Sequence, residues 1–197
     1  VKVCSGLDSF MIGELQVMSQ FRGSVAWHRK HGLTSDINGS FFDHVISANR
    51  ALRREFGFNK TTESMLNLAT TALEEAVSKN PDSISVVLGF GEMGRKAVEV
   101  LLDLGQTDIT VISRSPKESA SRNPEIAAKV TIITFDEWKA LAHQPSLIIS
   151  TIRNTAASYN SSNPIPTTAP AKIMDFSWPP SIDSTGISAN QDLMGMV

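Results

Sequence analysis

The clearest chemical pattern in the chain is Gly89-Phe90-Gly91-Glu92-Met93-Gly94, a G-x-G-x-x-G run. Glycine at the first position permits a tight turn, at the second it lets the backbone approach an anion, and at the third it lets a helix pack close against a strand. A diphosphate suits such a turn, because the N–H groups at a helix N-terminus are oriented toward negative charge. Further on, Ser113-Arg114-Ser115 stands where an NAD-binding unit carries a carboxylate for the ribose hydroxyls, with Lys117 close behind. A guanidinium between two hydroxyls suits a 2′-phosphate instead, through charge-assisted bonds, so these residues predict NADP rather than NAD. A ligand-free glycine turn and a solvated arginine are the plainer alternatives.

Other chemistry-bearing residues point less sharply. Cys4, the single cysteine, lies beside Val3 and Leu7 and reads as a small packed apolar residue rather than a nucleophile. His28, His31, His44 and His143 share no metal-ligand spacing with acids or with one another, and read as surface or helix-end residues.

The elements that must position the glycine turn follow from periodicity. From Ser9 to His31, Met11, Ile12, Leu15, Met18 and Val25 recur on one helical face, with Gly32 as a stop. Ser40 to Phe56 forms a second helix turning Phe41, Phe42, Val45, Ile46 and Leu52 toward a core. After Thr61-Thr62, residues Met65, Leu68, Ala69, Ala72, Leu73, Ala76 and Val77 keep the i, i+3, i+4 spacing until Asn80-Pro81-Asp82. The period then changes. Ile84 to Leu88 is a short apolar run bounded by glycine, suited to a strand buried on both faces. It is followed by a helix over 92–104, strands over 109–112 and 131–134, a helix over 136–142, and strands over 147–150 and 172–175. This βαβ series predicts an α/β protein: a Rossmann-type parallel sheet over 81–197, preceded by a mainly helical segment over 1–60 and a linking helix over 61–80. Residues 154–169, rich in Ser, Thr and Pro, read as a surface loop.

The composition limits the function classes. With 197 residues, 41% hydrophobic and 19% charged, the chain can bury a core. A net charge of -2 gives no global attraction to polyanions. Residues 1–80 carry nine Lys or Arg against eight acids, and 81–197 carry nine against twelve. In the helical part Arg22, Arg29, Lys30, Arg50, Arg53 and Arg54 interleave with Phe21, Trp27, Phe41 and Phe42, a pattern open to RNA phosphate or, more plainly, to a solvated face over a core. One cysteine excludes an internal disulfide framework and a multi-cysteine zinc site, so a reducing compartment, the cytoplasm by default, is expected. No run approaches the ~20 apolar residues of a membrane span.

Val3-Cys4-Ser5-Gly6-Leu7-Asp8-Ser9 followed by apolar residues, then Gly13-Glu14-Leu15-Gln16, resembles the signature of glutamyl-tRNA reductases, V-A-S-G-L-D-S and then G-E-P-Q-I. Gly-Glu-Met-Gly in the nucleotide turn, Arg53 with Glu55 for a V-R-T-E segment, Ser113-Arg114-Ser115 for N-R-T, and Lys172 to Asp183 for a strand ending in V-P-R-D-I-D extend the resemblance along the chain. The departures are Leu15 for Pro, Phe90 for Ala between the two glycines, Ser113 for Asn, and Trp178 and Pro180 for Val and Arg.

The resemblance implies NADPH-dependent reduction of glutamyl-tRNA to glutamate-1-semialdehyde, the first step toward 5-aminolevulinate and tetrapyrroles. A thiolate attacks the activated ester and hydride from NADPH reduces the thioester. It implies substrate contacts from Ser9, Glu14, Leu15, Gln16 and Gln20, and cofactor contacts from Gly89, Phe90, Gly91, Glu92, Met93, Gly94, Ser113, Arg114 and Ser115. It also implies a homodimer in the full-length enzyme, an aminomutase acting on glutamate-1-semialdehyde as a further partner, and the plastid stroma in a plant or alga. The family's T-C-N-R motif and adjacent His are not in this sequence, and Cys4 stands where a small residue such as Ala is usual. The chain therefore reads as a piece of the enzyme, ending near Asp192 where a helical dimerisation domain would begin. A non-catalytic NADP- or tRNA-binding relative, and a reductase of the shikimate dehydrogenase type, are the alternatives; the latter needs a catalytic Lys and Asp, and no convincing pair is found.

Overall fold

Apolar spacing of three to four gives way to continuous apolar runs within the third helix's neighbourhood, and the chain divides there into two units, Val1–Leu68 and Ala69–Val197. The computed structural model describes residues 1–7, 15–57, 65–140, 144–154 and 156–195.

In the first unit, α1 (Leu15–Lys30) and α2 (Asp36–Glu55) pack through Met18, Val25 and Val45, with Phe21 and Phe42 meeting edge to face at 5.9 Å. The second helix starts earlier than its apolar pattern suggests, because the Ser35 hydroxyl caps it by accepting from the Asn38 amide at 3.3 Å. Phe41, expected in a core, is 62% exposed, and Ile37 one turn before it is exposed as well. Behind the two helices lies a buried polar cluster. Asn49 donates from Nδ2 to the Cys4 carbonyl at 3.1 Å, and the Arg53 Nε donates to Asn49 Oδ1 at 3.3 Å. Burial, and then the charge of Arg22, lower the Arg53 pKa from its usual value. His28, His31 and His44 are exposed, as expected for surface positions, and His143 lies outside the described residues.

The second unit begins with most of α3 (Met65–Lys79), whose Ala69, Leu73, Ala76 and Val77 are buried. Six parallel strands follow in the order β3-β2-β1-β4-β5-β6: β1 (Ser85–Leu88), β2 (Ile109–Ile112), β3 (Thr131–Ile133), β4 (Leu147–Ser150), β5 (Ala171–Asp175) and β6 (Gln191–Gly195). Three inner strands, β2, β1 and β4, are buried at every position, which is why they read as short, mostly apolar runs. One face of the sheet packs on α3 and on α4 (Glu92–Asp103); the other packs on Trp138, Tyr159, Ile165 and Ile182. The α/β architecture with a parallel sheet is thus the one expected.

Three local readings change. Residues 116–127, left without an element, form two short helices, α5 (Pro116–Arg122) and α6 (Pro124–Ala127), each opened by proline at its first turn. Residues 191–195, expected to lead into a helical domain, pair as the sixth strand. Residues 156–169 are irregular but not merely superficial, since Tyr159 and Ile165 insert into the core. Beyond β5 the chain is tied down by Asp175, whose carboxylate accepts from the backbone amides of Ser177 at 3.0 Å, Ser181 at 2.7 Å and Ile182 at 2.9 Å.

Candidate functional site

The chain runs outward from β1 through β2 to β3, then returns to the other side of β1 as β4. Helices and loops leaving β1 and β4 therefore diverge, and a crevice opens beyond the carboxyl ends of these strands. A cavity of about 720 Å³ lies there.

The glycine turn forms its floor. Gly89 has φ +93°, a conformation that side chains with a Cβ resist, and its amide donates to the Ile112 carbonyl at 2.9 Å. A Cβ on Gly94 would sit 2.2 Å from the Gly89 carbonyl oxygen, so glycine is what lets α4 start directly against the turn. At Gly91 an added Cβ would meet nothing within 4 Å; the space above it is open. The three glycines thus separate into turn, approach and packing roles. Gly91 also caps α4 without any side-chain bond, leaving the first N–H groups of that helix unclaimed by a cap.

Gly89, Phe90, Gly91, Glu92, Met93, Ser113, Arg114 and Ser115 all line the cavity, and Gly94 lies buried beneath it. Phe90 and Met93 also pack partly against the core, and the cavity keeps its volume beside the phenyl ring. The Ser113 hydroxyl is engaged within the turn, 2.7 Å from Ser119 Oγ and accepting from the Ser115 amide at 3.2 Å. It fixes the turn that presents Arg114. Sequence reasoning missed other wall residues, among them Lys139, Thr151, Arg153, Asn154 and Tyr159. Thr151 follows β4 and donates from its hydroxyl to the Leu88 carbonyl at 3.0 Å, locking the two strand ends together. Burial pushes the Tyr159 phenol well above its usual range.

Charge in the cavity is predominantly positive. Arg114, Lys139 and Arg153 line it against Glu92, and none of the three bases makes a hydrogen bond or ion pair with another described residue. Some cations outside the cavity are paired, Arg29 with Asp43 at 2.8 Å, Lys79 with Glu75 at 2.6 Å and Lys96 with Glu99 at 3.3 Å. A concave site with open backbone at Gly91 and three unclaimed bases fits an elongated anion with a diphosphate.

The remaining site residues of the sequence reading belong to the first unit. Gln16 and Gln20 lie one turn apart on α1 and are exposed; Leu15 opens that helix; Ser9 and Glu14 fall outside the described residues. Among the described residues no cluster of three His, Cys, Asp or Glu is placed to hold a metal.

Residues 1–56 match the family described as glutamyl-tRNAGlu reductase, N-terminal domain, and residues 67–193 match the description shikimate / quinate 5-dehydrogenase. The chain is 31% identical over 155 residues to a probable chloroplastic glutamyl-tRNA reductase 3 of Arabidopsis thaliana, covering 76% of this chain and 29% of that protein. It is 30% identical over 113 residues to a glutamyl-tRNA reductase of Saccharolobus solfataricus, covering 57% of this chain and 26% of that one. The chain belongs to the glutamyl-tRNA reductase family. It spans under a third of the length of these two reductases. Its fold is that of the glutamyl-tRNA reductase from Methanopyrus kandleri, at a TM-score of 0.52 and 19% identity, over 99% of this chain and 50% of that one. Residues 1–56 are what separate a glutamyl-tRNA reductase from the dehydrogenases whose description fits the second unit.

Proposed function

We propose that this chain is the rear of the substrate domain, the linking helix and the NADPH-binding domain of an enzyme that reduces glutamyl-tRNA to glutamate-1-semialdehyde, opening 5-aminolevulinate and tetrapyrrole synthesis. The observation carrying the reading is that one cavity is lined both by the glycine turn and by Ser113-Arg114-Ser115. NADPH, when bound, supplies the hydride. The chain's own contribution is to hold it: backbone at Gly91 and the start of α4 toward the diphosphate, Arg114 and the Ser115 hydroxyl toward the 2′-phosphate. Ser9, Glu14, Leu15, Gln16 and Gln20 are proposed to hold the glutamyl moiety, the amides by hydrogen bonding and Glu14 by facing its ammonium. No residue of this chain is assigned the nucleophilic thiol. Glutamyl-tRNA as substrate, a homodimer of the whole enzyme, and an aminomutase receiving the aldehyde belong to the same proposal.

Titration of the chain with NADPH and NADH tests it. Tighter binding of NADPH is expected, and Arg114→Asp is expected to erase or reverse the preference, since it sets a carboxylate against the 2′-phosphate. Equal affinities in the parent chain would refute the assignment.

A further inference from the structure

Three unpaired bases line one cavity, and the topology separates them. The glycine turn ends β1, Ser113-Arg114-Ser115 ends β2, and β3 lies beyond β2 at the sheet edge. The ends of β2 and β3 are bonded together, the Ser113 amide donating to the Ile133 carbonyl at 2.9 Å. Directly after β3 comes α7 (Phe135–Ala140), which contributes Phe135 and Lys139 to the cavity wall. Arg153 follows β4, on the opposite side of β1. A dinucleotide whose diphosphate rests on the β1 turn and whose adenosine ribose lies over β2 has its adenosine end between Arg114 and α7. Its other half runs toward β4.

The short helix is held so as to aim Lys139. Thr134 and Glu137 form a reciprocal cap, the Glu137 amide donating to Thr134 Oγ1 at 3.1 Å and the Thr134 amide donating to Glu137 Oε2 at 2.7 Å. Trp138, just before Lys139, has no exposed surface and anchors the helix in the core. Lys139 is therefore fixed at its Cα, while its side chain, unpaired among the described residues, belongs to the cavity lining.

We propose that Lys139 is a second cation for the adenosine 2′-phosphate, meeting it from the side opposite Arg114, and that Arg153 serves the part of the coenzyme common to NADPH and NADH. A phosphate monoester carries about -1.5 to -2 charges near neutrality, more than one guanidinium balances. Phe135 gives the adenine an apolar neighbour on the same wall. The inference rests on the NADPH reading above.

The test is calorimetry on the whole chain with four probes: NADPH, NADH, adenosine 2′,5′-bisphosphate and 5′-AMP. Lys139→Gln should weaken NADPH and the bisphosphate roughly tenfold, the loss of one charge-assisted contact, and leave NADH and 5′-AMP unchanged. Lys139→Arg should retain the preference for the 2′-phosphorylated ligands. Arg153→Gln should weaken NADPH and NADH by the same factor and leave the bisphosphate to 5′-AMP ratio intact. If the parent chain prefers NADPH but Lys139→Gln binds all four probes as it does, the assignment of Lys139 falls and the coenzyme reading stands. Equal losses for NADPH and NADH in Lys139→Gln would also overturn it, since the cation would then serve the shared part. A parent chain that binds none of the probes overturns both.

Discussion

The glycine turn separates, residue by residue, what the fold needs from what a ligand would need. At Gly94 a methyl group would lie 2.2 Å from the Gly89 oxygen, a backbone atom that cannot swing aside, and 3.0 Å from Thr151 Oγ1. Gly94→Ala should therefore cost about 1–3 kcal/mol of stability, as overpacking does, and disrupt the turn with it. At Gly91 the methyl meets nothing within 4 Å and the backbone is extended, so Gly91→Ala should cost no more than about 1 kcal/mol, the poorer N-cap that alanine makes. Yet that methyl would stand where the diphosphate is proposed to approach, and NADPH affinity should drop at least tenfold. Thermal melting and coenzyme titration of both variants distinguish the roles. Unchanged binding in a folded Gly91→Ala protein would mean that no ligand approaches the turn there. Both roles were legible from the spacing of three glycines after an apolar run. The engagement of the Ser113 hydroxyl with Ser119 was not, because a turn must close before residues six apart can meet.

At the scale of elements, strong periodicity located strands and long helices well. β2 and β4 fall on the expected residues, and α3 ends where Asn80 and Pro81 stop it. What escaped were short elements whose signal is a cap rather than a period. Residues 116–127 are helical through their prolines and local bonds with no buried residue in either turn, so no apolar face announced them. β6 has one buried residue, Gln191, and lies at the sheet edge, where the apolar run that marks central strands is absent. The helix α7, expected over 136–142 and observed from Phe135, also opens on a cap, and that cap is titratable. Hydrogen bonds from the Thr134 amide, and then from its hydroxyl, hold the Glu137 carboxyl below its usual value of 4.5. Because the folded value is depressed, the stabilisation is complete above the ordinary value and is lost as pH falls through the lowered one. Amide resonances of Thr134 and Glu137 should therefore titrate with a midpoint below 4.5. Thr134→Ala should cost about 1 kcal/mol, the usual worth of an N-cap, and loosen NADPH as Lys139 loses its anchor. A midpoint at or above the ordinary value would show that the reciprocal cap does not form in solution.

For the whole molecule, the division that matters is between chemistry held by packing and chemistry carried by exposed side chains. The second unit owns both apolar clusters that enclose its sheet: one built from α3, α4 and the strands, the other from Trp138, Tyr159, Ile165 and Ile182 with the strands. Every residue of either cluster lies at Ala69 or later, and so does every residue lining the cavity. The boundary was hard to read in sequence because α3 is an amphipathic helix with the same period as those before it, and periodicity does not say which core a helix joins. Its apolar face, Ala69, Leu73, Ala76 and Val77, joins the sheet. A fragment of residues 65–197 should accordingly fold cooperatively and bind NADPH within about twofold of the full chain, a difference under 0.5 kcal/mol. A second fragment beginning at residue 81 removes those four side chains from the core and should be strongly destabilised, since each lost apolar contact leaves part of the sheet face in water. Circular dichroism melts and coenzyme titration of the two fragments decide the matter. If the shorter fragment matched the longer in melting and in binding, α3 would be a linker rather than a structural helix of the nucleotide-binding unit.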